Sequence, residues 1–432
     1  MMDTREKYAQ YVATSFTAGL EPITIDHAEG ARIVADDGRS YIDCYAGIAV
    51  ANAGHGAPTV REAAKAQIDK LIHASSYTYY VQPVADLAER LAQVTPGQLR
   101  KTFFSNSGAE GIEAALRMAK VYTGKREIIA LERSFHGRTF GTLSITGNQS
   151  RKTRGGPYAG GVSFAPTPYP YRSLFGPDPE IVAERAARAL EDVIRYHTSG
   201  DVAAFIIEPV MGEGGMIVPP ASYLPRVKEI LDRYDILLIA DEVQCGFGRT
   251  GKLFAIEHFG VEPDIMVMAK GIADGFPLSA TIARAEIADS FRPGEHLSTF
   301  GGNPVSCAAG LANLEYMLAE DLPGQAARKG AHALARLKAL EGRLPSVGEA
   351  RGLGLMIGLE LVTDRESRQP DAALAREVRR FCRERGVLVG VGGVDANVVR
   401  VHPPLVISEA DLNEALRVVT EGVETLTAAR AG

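Results

Sequence analysis

The sequence predicts an α/β protein whose main sheet is largely parallel. Short apolar runs alternate with helical patterns through the middle of the chain. Several of these runs lack polar alternation, which is typical of strands buried on both faces of a parallel sheet. Their alternation with helices indicates successive βα units. The runs span residues 101–106, 127–132, 203–210, 236–242 and 265–270.

The remaining elements follow from the same periodicities. Residues 220–235 have the apolar spacing of a helix between two of these strands. The end of the chain differs: a long helical pattern around 324–342 precedes strand-like runs at 354–362 and 399–407, and a last helix follows. We expect this part to form a second, smaller α+β domain.

The composition is that of an ordinary globular protein. The 432 residues are 46% hydrophobic, and a formal net charge of -6 does not favour nucleic acid as a partner. No apolar run reaches the ~18 residues that a membrane helix needs, and the N-terminus lacks an apolar signal region. The four cysteines are far apart, so we expect no disulfide framework and no metal site. A cytoplasmic enzyme without a membrane partner is the resulting expectation.

Polar residues or glycine follow each of the predicted parallel strands. Ligands of open parallel sheets bind outside the carboxyl ends of the strands, so we expect a site where these residues converge. They are Ser105–Gly108, Arg133–Arg138, Glu208, Asp241–Gln244 and Lys270.

The first of these strand ends has the sequence of an anion site. In FFSNSGAEGIEAALRMAK, Ser107 and Glu110 fit a capping box at the start of a helix. Gly108 leaves the backbone open there, and free N–H groups at the positive end of a helix attract anions. An ordinary capped helix without a ligand explains the same pattern.

Lys270 ends the apolar run DIMVMAK, where a lysine is uncommon unless it forms an ion pair or has a functional role. It is a solvated residue, a salt-bridge partner or a Schiff-base amine. A lysine shielded by apolar neighbours has a lowered pKa and attacks carbonyls. Schiff-base chemistry also needs an anion site and a carboxylate for a pyridinium nitrogen, which residues 107–109 and Asp241 would supply.

These motifs together resemble the class III pyridoxal-phosphate aminotransferases. The stretch IADEVQCGFGRTGKLFAIEHFGVEPDIMVMAKGIADGFPLSA is similar to the family signature along its whole length, and RSFHGRT, IIEPVMGEGG, STFGGNPVSCAAG and NVVRVHPPLVIS extend the match. The spacing is most similar to that of 4-aminobutyrate aminotransferases. The resemblance implies fold type I, with a large cofactor-binding domain over 66–325, a small domain over 326–432, and residues 1–65 packing with the small domain. It also implies a homodimer, or a dimer of dimers.

The resemblance assigns a cofactor role to one group of residues. Lys270 would hold pyridoxal phosphate as a Schiff base and transfer protons, and Asp241 would keep the pyridine nitrogen protonated. Thr299 would reach the cofactor phosphate of the neighbouring subunit. The other implied cofactor contacts are Ser107, Gly108, Ala109, Phe135, His136 and Gln244.

A second group would bind the substrate. Arg138 would hold the far carboxylate of an ω-amino acid, and Arg400 the α-carboxylate of 2-oxoglutarate or glutamate, because a guanidinium pairs bidentately with a carboxylate. Glu208 would pair with Arg400 while an ω-amine occupies the site. Ile48 would form an apolar wall near the substrate.

The resemblance implies an ω-aminotransferase that converts 4-aminobutyrate and 2-oxoglutarate to succinate semialdehyde and glutamate by a ping-pong route. Residues 158–180 favour this type over an acetylornithine or ornithine aminotransferase, whose site residues are the same. An amino-acid racemase, a decarboxylating aminotransferase and a non-catalytic binding protein on this scaffold are further alternatives. Met211 and Asp274 depart from the family pattern close to site residues, and we expect either to reshape the pocket.

Overall fold

The computed structural model describes residues 2–17 and 19–431 of the chain. Its strands form two seven-stranded sheets. In chain order the strands are β1 (Ile25–Glu29), β2 (Arg32–Ala35), β3 (Ser40–Cys44), β4 (Lys101–Ser105), β5 (Glu127–Leu131), β6 (Val162–Ala165), β7 (Val202–Ile207), β8 (Leu237–Asp241), β9 (Ile265–Met268), β10 (Ser279–Ala283), β11 (Val347–Leu353), β12 (Met356–Leu361), β13 (Val387–Gly392) and β14 (Val398–Val401).

Helices pack around both sheets, and a short left-handed turn, α2, follows β3. Within the described ranges the helical segments are α1 (Thr4–Tyr11), α2 (Ala46–Ala49), α3 (Pro58–Lys70), α4 (Gln82–Val94), α5 (Gly108–Thr123), α6 (Phe140–Ser144), α7 (Pro179–Tyr196), α8 (Tyr223–Arg233), α9 (Ala285–Ala288), α10 (Pro304–Ala319), α11 (Leu322–Glu341), α12 (Ala372–Glu384) and α13 (Glu409–Ala431). None of those in the described part of the chain has the length and apolarity to cross a membrane.

The first sheet has the strand order β4-β10-β9-β8-β7-β5-β6. Strands β5 to β9 are all parallel, and β10 is antiparallel to both β9 and β4. The predicted parallel sheet is therefore confirmed, with one antiparallel strand inserted. Because β4 lies antiparallel to β10, it points the same way as the parallel strands, and all six carboxyl ends meet at one edge.

The parallel strands are apolar throughout because helices cover both faces of the sheet. Ile239 of β8 and Val267 of β9 pack in one cluster with Ile112 of α5. Their neighbours along the strands, such as Leu238, pack on the opposite face with Leu224 of α8. Burying each such side chain stabilises the fold by about 1.5–3 kcal/mol, and this packing fixes the strand ends that carry the site.

The second sheet combines both ends of the chain. Its order is β1-β2-β3-β13-β14-β12-β11, in which β3 and β13 are parallel and the other pairs are antiparallel. Helices α11, α12 and α13 pack beside it. This sheet carries Arg400 on β14. The predicted domain limits at residues 65 and 325 remain a prediction.

Candidate active site

A cavity of about 330 Å³ lies at the carboxyl ends of the parallel strands. It is where the sequence predicted the strand ends to converge. Nine of the predicted site residues line it: Ser107, Gly108, Ala109, Phe135, His136, Glu208, Asp241, Gln244 and Lys270. Four do not: Ile48, Arg138, Thr299 and Arg400.

Lys270 stands two residues beyond β9, at the start of a short 3-10 helix over Lys270–Ile272. Its φ of 46° is in the left-handed region, a strained conformation that is typical of functional sites. The amide of Asn313 on α10 holds this turn by donating to the carbonyls of Gly271 at 2.8 Å and Ile272 at 3.0 Å. Burial lowers the pKa of Lys270, although nearby carboxylates oppose the shift. The structure therefore presents a shielded amine to the cavity, as Schiff-base chemistry requires.

Asp241 and His136 form a buried pair that also lines the cavity. The Oδ2 atom of Asp241 lies 2.7 Å from Nδ1 of His136, and its Oδ1 accepts the backbone N–H of Val243 at 3.0 Å. Both side chains are almost fully buried. These contacts fix the orientation of the carboxylate, which suits it to hold a proton on a ring nitrogen.

The start of α5 borders the cavity and has the capped, open backbone that the predicted anion site requires. Ser107 caps the helix by accepting the N–H of Glu110 at 3.3 Å. The reciprocal bond of a capping box is replaced, because the Glu110 carboxylate accepts the N–H of Asn106 at 2.8 Å. The first N–H groups of this 16-residue helix border the cavity, with the positive end of the helix dipole.

The amide of Gln244 indicates that this cavity holds a polar ligand. The side chain is buried, and neither Oε1 nor Nε2 has a hydrogen-bond partner within the described residues. An unpaired buried amide is costly, so a ligand group is the natural partner. Gly212 makes this placement possible, since a Cβ there would lie 1.4 Å from Oε1 of Gln244.

Glu208 does not pair with Arg400, which corrects the predicted contact. Its carboxylate accepts the backbone N–H groups of Phe135 and Gly212, both at 2.9 Å. Burial raises the pKa of Glu208 to about 7. Glu208 thus faces the cavity from β7, while the loop after it turns a different carboxylate toward Arg400.

That carboxylate belongs to Glu213, which the sequence reasoning missed. Glu213 lines the cavity and accepts Nη1 of Arg400 at 2.5 Å. Its other oxygen accepts Nη2 of Arg151 at 3.1 Å. Burial raises the pKa of Glu213, but the charges of Arg400, Lys270 and Arg151 outweigh it and leave the pKa below its ordinary value. The motif IIEPVMGEGG contains both glutamates, and the sequence gives no signal to choose between them.

Three other predicted site residues, Arg138, Ile48 and Thr299, do not line the cavity. Arg138 is exposed, with its guanidinium carbon 5.6 Å from the ring centre of Phe135, which lines the site. Ile48 lies in α2, where Ala46 to Ala49 all have positive φ, and it is 40% exposed. Thr299 is exposed, and its predicted role depends on a neighbouring subunit.

The two departures from the family pattern do not border the cavity. Met211 is buried and forms an isolated bridge with Ile217. Asp274 turns away and accepts the backbone N–H of Ala53 at 3.0 Å. Neither side chain therefore contacts the cavity directly, and the expectation that either reshapes the pocket stays a prediction.

Comparison with known proteins decides the family. The model for class III aminotransferases matches residues 15–422. The chain belongs to this family. The predicted fold is confirmed, and the cofactor of the family is pyridoxal phosphate, which the charged and unpaired groups around the cavity fit.

The chain is 42% identical over 406 residues to the acetylornithine aminotransferase of Methanothermobacter thermautotrophicus, covering 94% of this chain and 95% of the relative. It is 36% identical over 422 residues to a probable 4-aminobutyrate aminotransferase of Bacillus subtilis, covering 97% of each. Among solved structures, a PLP-bound amine transaminase from an uncultivated Pseudomonas species has a TM-score of 0.90 and 35% identity, with 95% of this chain and 98% of that chain covered. These relatives include both acetylornithine and 4-aminobutyrate aminotransferases, so they do not decide between the two donors.

Proposed function

We propose that this class III aminotransferase moves an amino group from an ω-amino acid to 2-oxoglutarate. The observation that carries the proposal is Glu213, which stands between the cavity and Arg400 and neutralises its charge. Arg400 is then hidden from a donor whose reacting carbon bears no carboxylate. It is available to an α-keto acid once Glu213 moves aside.

The chemistry of the transfer falls to residues on the strand ends. Bound pyridoxal phosphate supplies a carbonyl carbon that amines attack and a ring that withdraws electrons from the reacting carbon. Lys270 takes and returns a proton at Nζ, and its lowered pKa leaves more of the amine neutral. Asp241, oriented by His136, would hold a proton on the pyridine nitrogen, and the start of α5 would hold the phosphate.

Charge compensation explains how one site accepts two kinds of substrate. Arg400 is buried, so an ω-amine that left it unpaired would incur the penalty of an uncompensated buried charge, about 3–5 kcal/mol. Glu213 removes that penalty for the donor. A keto acid replaces Glu213 with its own carboxylate, and Arg138 receives the far carboxylate in both half-reactions.

The proposed assembly is a homodimer. Large apolar side chains remain exposed on two segments that meet, since the side chain of Asn303 donates to the carbonyl of Ile72 and the rings of His73 and Phe300 are 5.3 Å apart. Thr299 lies between Leu297 and Phe300, so a second copy that covered these side chains would also meet Thr299. The exposed apolar side chains of the two segments are Ile72, Tyr79, Tyr80, Leu297 and Phe300.

Two donors are proposed, 4-aminobutyrate and N-acetylornithine. Both carry a terminal amine and a distant carboxylate, which is the donor pattern that the proposed roles of Arg138 and Glu213 would suit. Residues 158–180 favour the first, and the higher identity to an acetylornithine aminotransferase favours the second.

A donor panel tests the function. The purified holoenzyme is assayed for glutamate formation from 2-oxoglutarate with 4-aminobutyrate, N-acetylornithine, ornithine, lysine and α-amino acids. We expect an ω-amine to give the highest kcat/KM. Racemisation of an α-amino acid without consumption of keto acid would replace the proposal by a racemase, and no turnover with any donor would favour a binding protein.

A further inference from the structure

Glu213 is held by two arginines, and only one of them belongs to the substrate site described above. Arg151 ends a short 3-10 helix over Gln149–Arg151, on the segment that follows α6. We propose that Arg151 is a specificity-determining residue that receives the Glu213 carboxylate when Arg400 binds an α-carboxylate. The inference rests on the proposed function, because it requires Glu213 to leave Arg400 during the keto-acid half-reaction.

The hydrogen bonds around Glu213 favour such an exchange. Its Oε1 accepts from Arg400 at 2.5 Å and its Oε2 from Arg151 at 3.1 Å, so the carboxylate already bridges both guanidinium groups. The Nε–H of Arg151 is buried and has no partner within the described ranges. Arg151 therefore has a free donor beside the one it uses, and can take the released carboxylate through two bonds.

Arg400 shows the complementary arrangement. Its Nη2 donates to the carbonyl of Val391 at 3.1 Å, and its Nε–H is buried without a partner in the same described part of the chain. When Glu213 leaves, Nη1 becomes available to a substrate carboxylate. One carboxylate is thus exchanged for another, and neither arginine is left uncompensated.

Hydrogen bonds fix the backbone on both sides of Glu213 and the turn that carries Arg151. The N–H of Gly212 donates to Glu208 at 2.9 Å, and Arg351 donates twice to the carbonyl of Gly215, at 2.9 and 2.6 Å. Asn148 caps the turn that carries Arg151. Glu213 therefore moves between its partners by side-chain rotation, without displacement of the loop.

The proposal separates the two substrates in a predictable way. A keto acid binds only the open state, in which Glu213 has left Arg400. Its apparent affinity therefore depends on how well Glu213 is held away from Arg400. The ω-amine binds while Glu213 stays on Arg400, so its affinity does not depend on that state. Removing Arg151 should raise the KM for 2-oxoglutarate by roughly tenfold, within the usual range of such couplings, and leave the KM for the ω-amine within about twofold.

The test uses the holoenzyme with Arg151→Met and Arg151→Lys, and Arg154→Met as a matched control. Arg154 lies on the same segment, is exposed, and forms no ion pair within the described residues. We expect Arg151→Met to raise the KM for 2-oxoglutarate with little change in kcat or the visible cofactor band, Arg151→Lys to restore part of the affinity, and Arg154→Met to behave as wild type. Equal rises in the KM values of both substrates, or none, would overturn the proposal.

A double-mutant cycle with Glu213→Ala distinguishes this proposal from the function on which it rests. In the Glu213→Ala background, Arg151→Met should have no further effect on the KM for 2-oxoglutarate, because no carboxylate remains to be received. A persistent tenfold rise would show that Arg151 acts on the substrate directly, which overturns the inference. If Glu213→Ala alone leaves the preference between ω- and α-amines unchanged, the proposed function fails.

Discussion

Substitution of Gly108 by alanine tests whether the start of α5 holds the cofactor phosphate. A Cβ at this position would lie 2.8 Å from Cγ1 of Val243 and 3.2 Å from its Cγ2. Ordinary carbon contacts are about 3.5–4.0 Å, so one of the two segments must move by several tenths of an ångström. Val243 is tied to Asp241 by a hydrogen bond of 3.0 Å, and its movement would disturb the carboxylate as well.

The size of the effect follows from the cost of overpacking. Inserting a methyl group into a well-packed site costs about 1–3 kcal/mol. If the apoenzyme relieves the strain by withdrawing the helix start and the bound form cannot, cofactor affinity falls by about 5- to 150-fold, since each 1.4 kcal/mol is a factor of ten. The assay is a titration of apoenzyme with pyridoxal phosphate, followed by the visible band.

Gly160→Ala is the matched control, because a Cβ there meets nothing within 4 Å and its φ is not positive. Circular dichroism and thermal melting of both apoproteins establish that they fold. A dissociation constant for Gly108→Ala within twofold of the wild-type value would refute the assignment of the phosphate to this turn.

Two further predictions concern the carboxylates of Asp241 and Asp274. Asp241→Asn should lower kcat about 100-fold while the protein still folds, because the charge that holds a proton on the ring nitrogen is lost; steady-state kinetics and circular dichroism measure this, and wild-type turnover would contradict it. Burial raises the pKa of Asp274 to about 7 from the ordinary 3.8, so the folded protein keeps this proton after the unfolded chain has lost it, and stability falls as pH rises from about 4 to 7. Asp274→Asn should therefore stabilise the protein by up to roughly 4 kcal/mol at pH 8, from the whole pKa difference, and by less at pH 5. Urea unfolding at the two pH values measures this, and an equal effect at both would contradict it.

The strand ends could be predicted from the sequence because their signals are local. A continuous apolar run marks a buried strand, and the polar residue after it must lie at the edge of the sheet. Lys270, Asp241 and Ser107 each follow such a run, and the cavity contains all three. Strand β10 was missed, although its antiparallel insertion leaves the common edge intact.

The partner of Arg400 could not be predicted in this way. Glu208 and Glu213 are separated by five positions, and the choice depends on how the loop between them turns. The bridge between Met211 and Ile217 closes that loop and directs Glu213 toward β14. The contact between Glu213 and Arg400 joins segments 187 residues apart, and neither segment has a local sequence feature that predicts it.

The most direct test of the account is chemical trapping at Lys270. The holoenzyme is reduced with borohydride, digested, and the lysine that carries the pyridoxyl group is identified by mass spectrometry, with Lys270→Ala as the comparison. We predict a yellow protein whose visible band disappears on reduction, with the label on Lys270 alone, and no trapped cofactor in the variant. A colourless protein after addition of pyridoxal phosphate, or a label on another lysine, would contradict the assignment of this strand end as the catalytic amine.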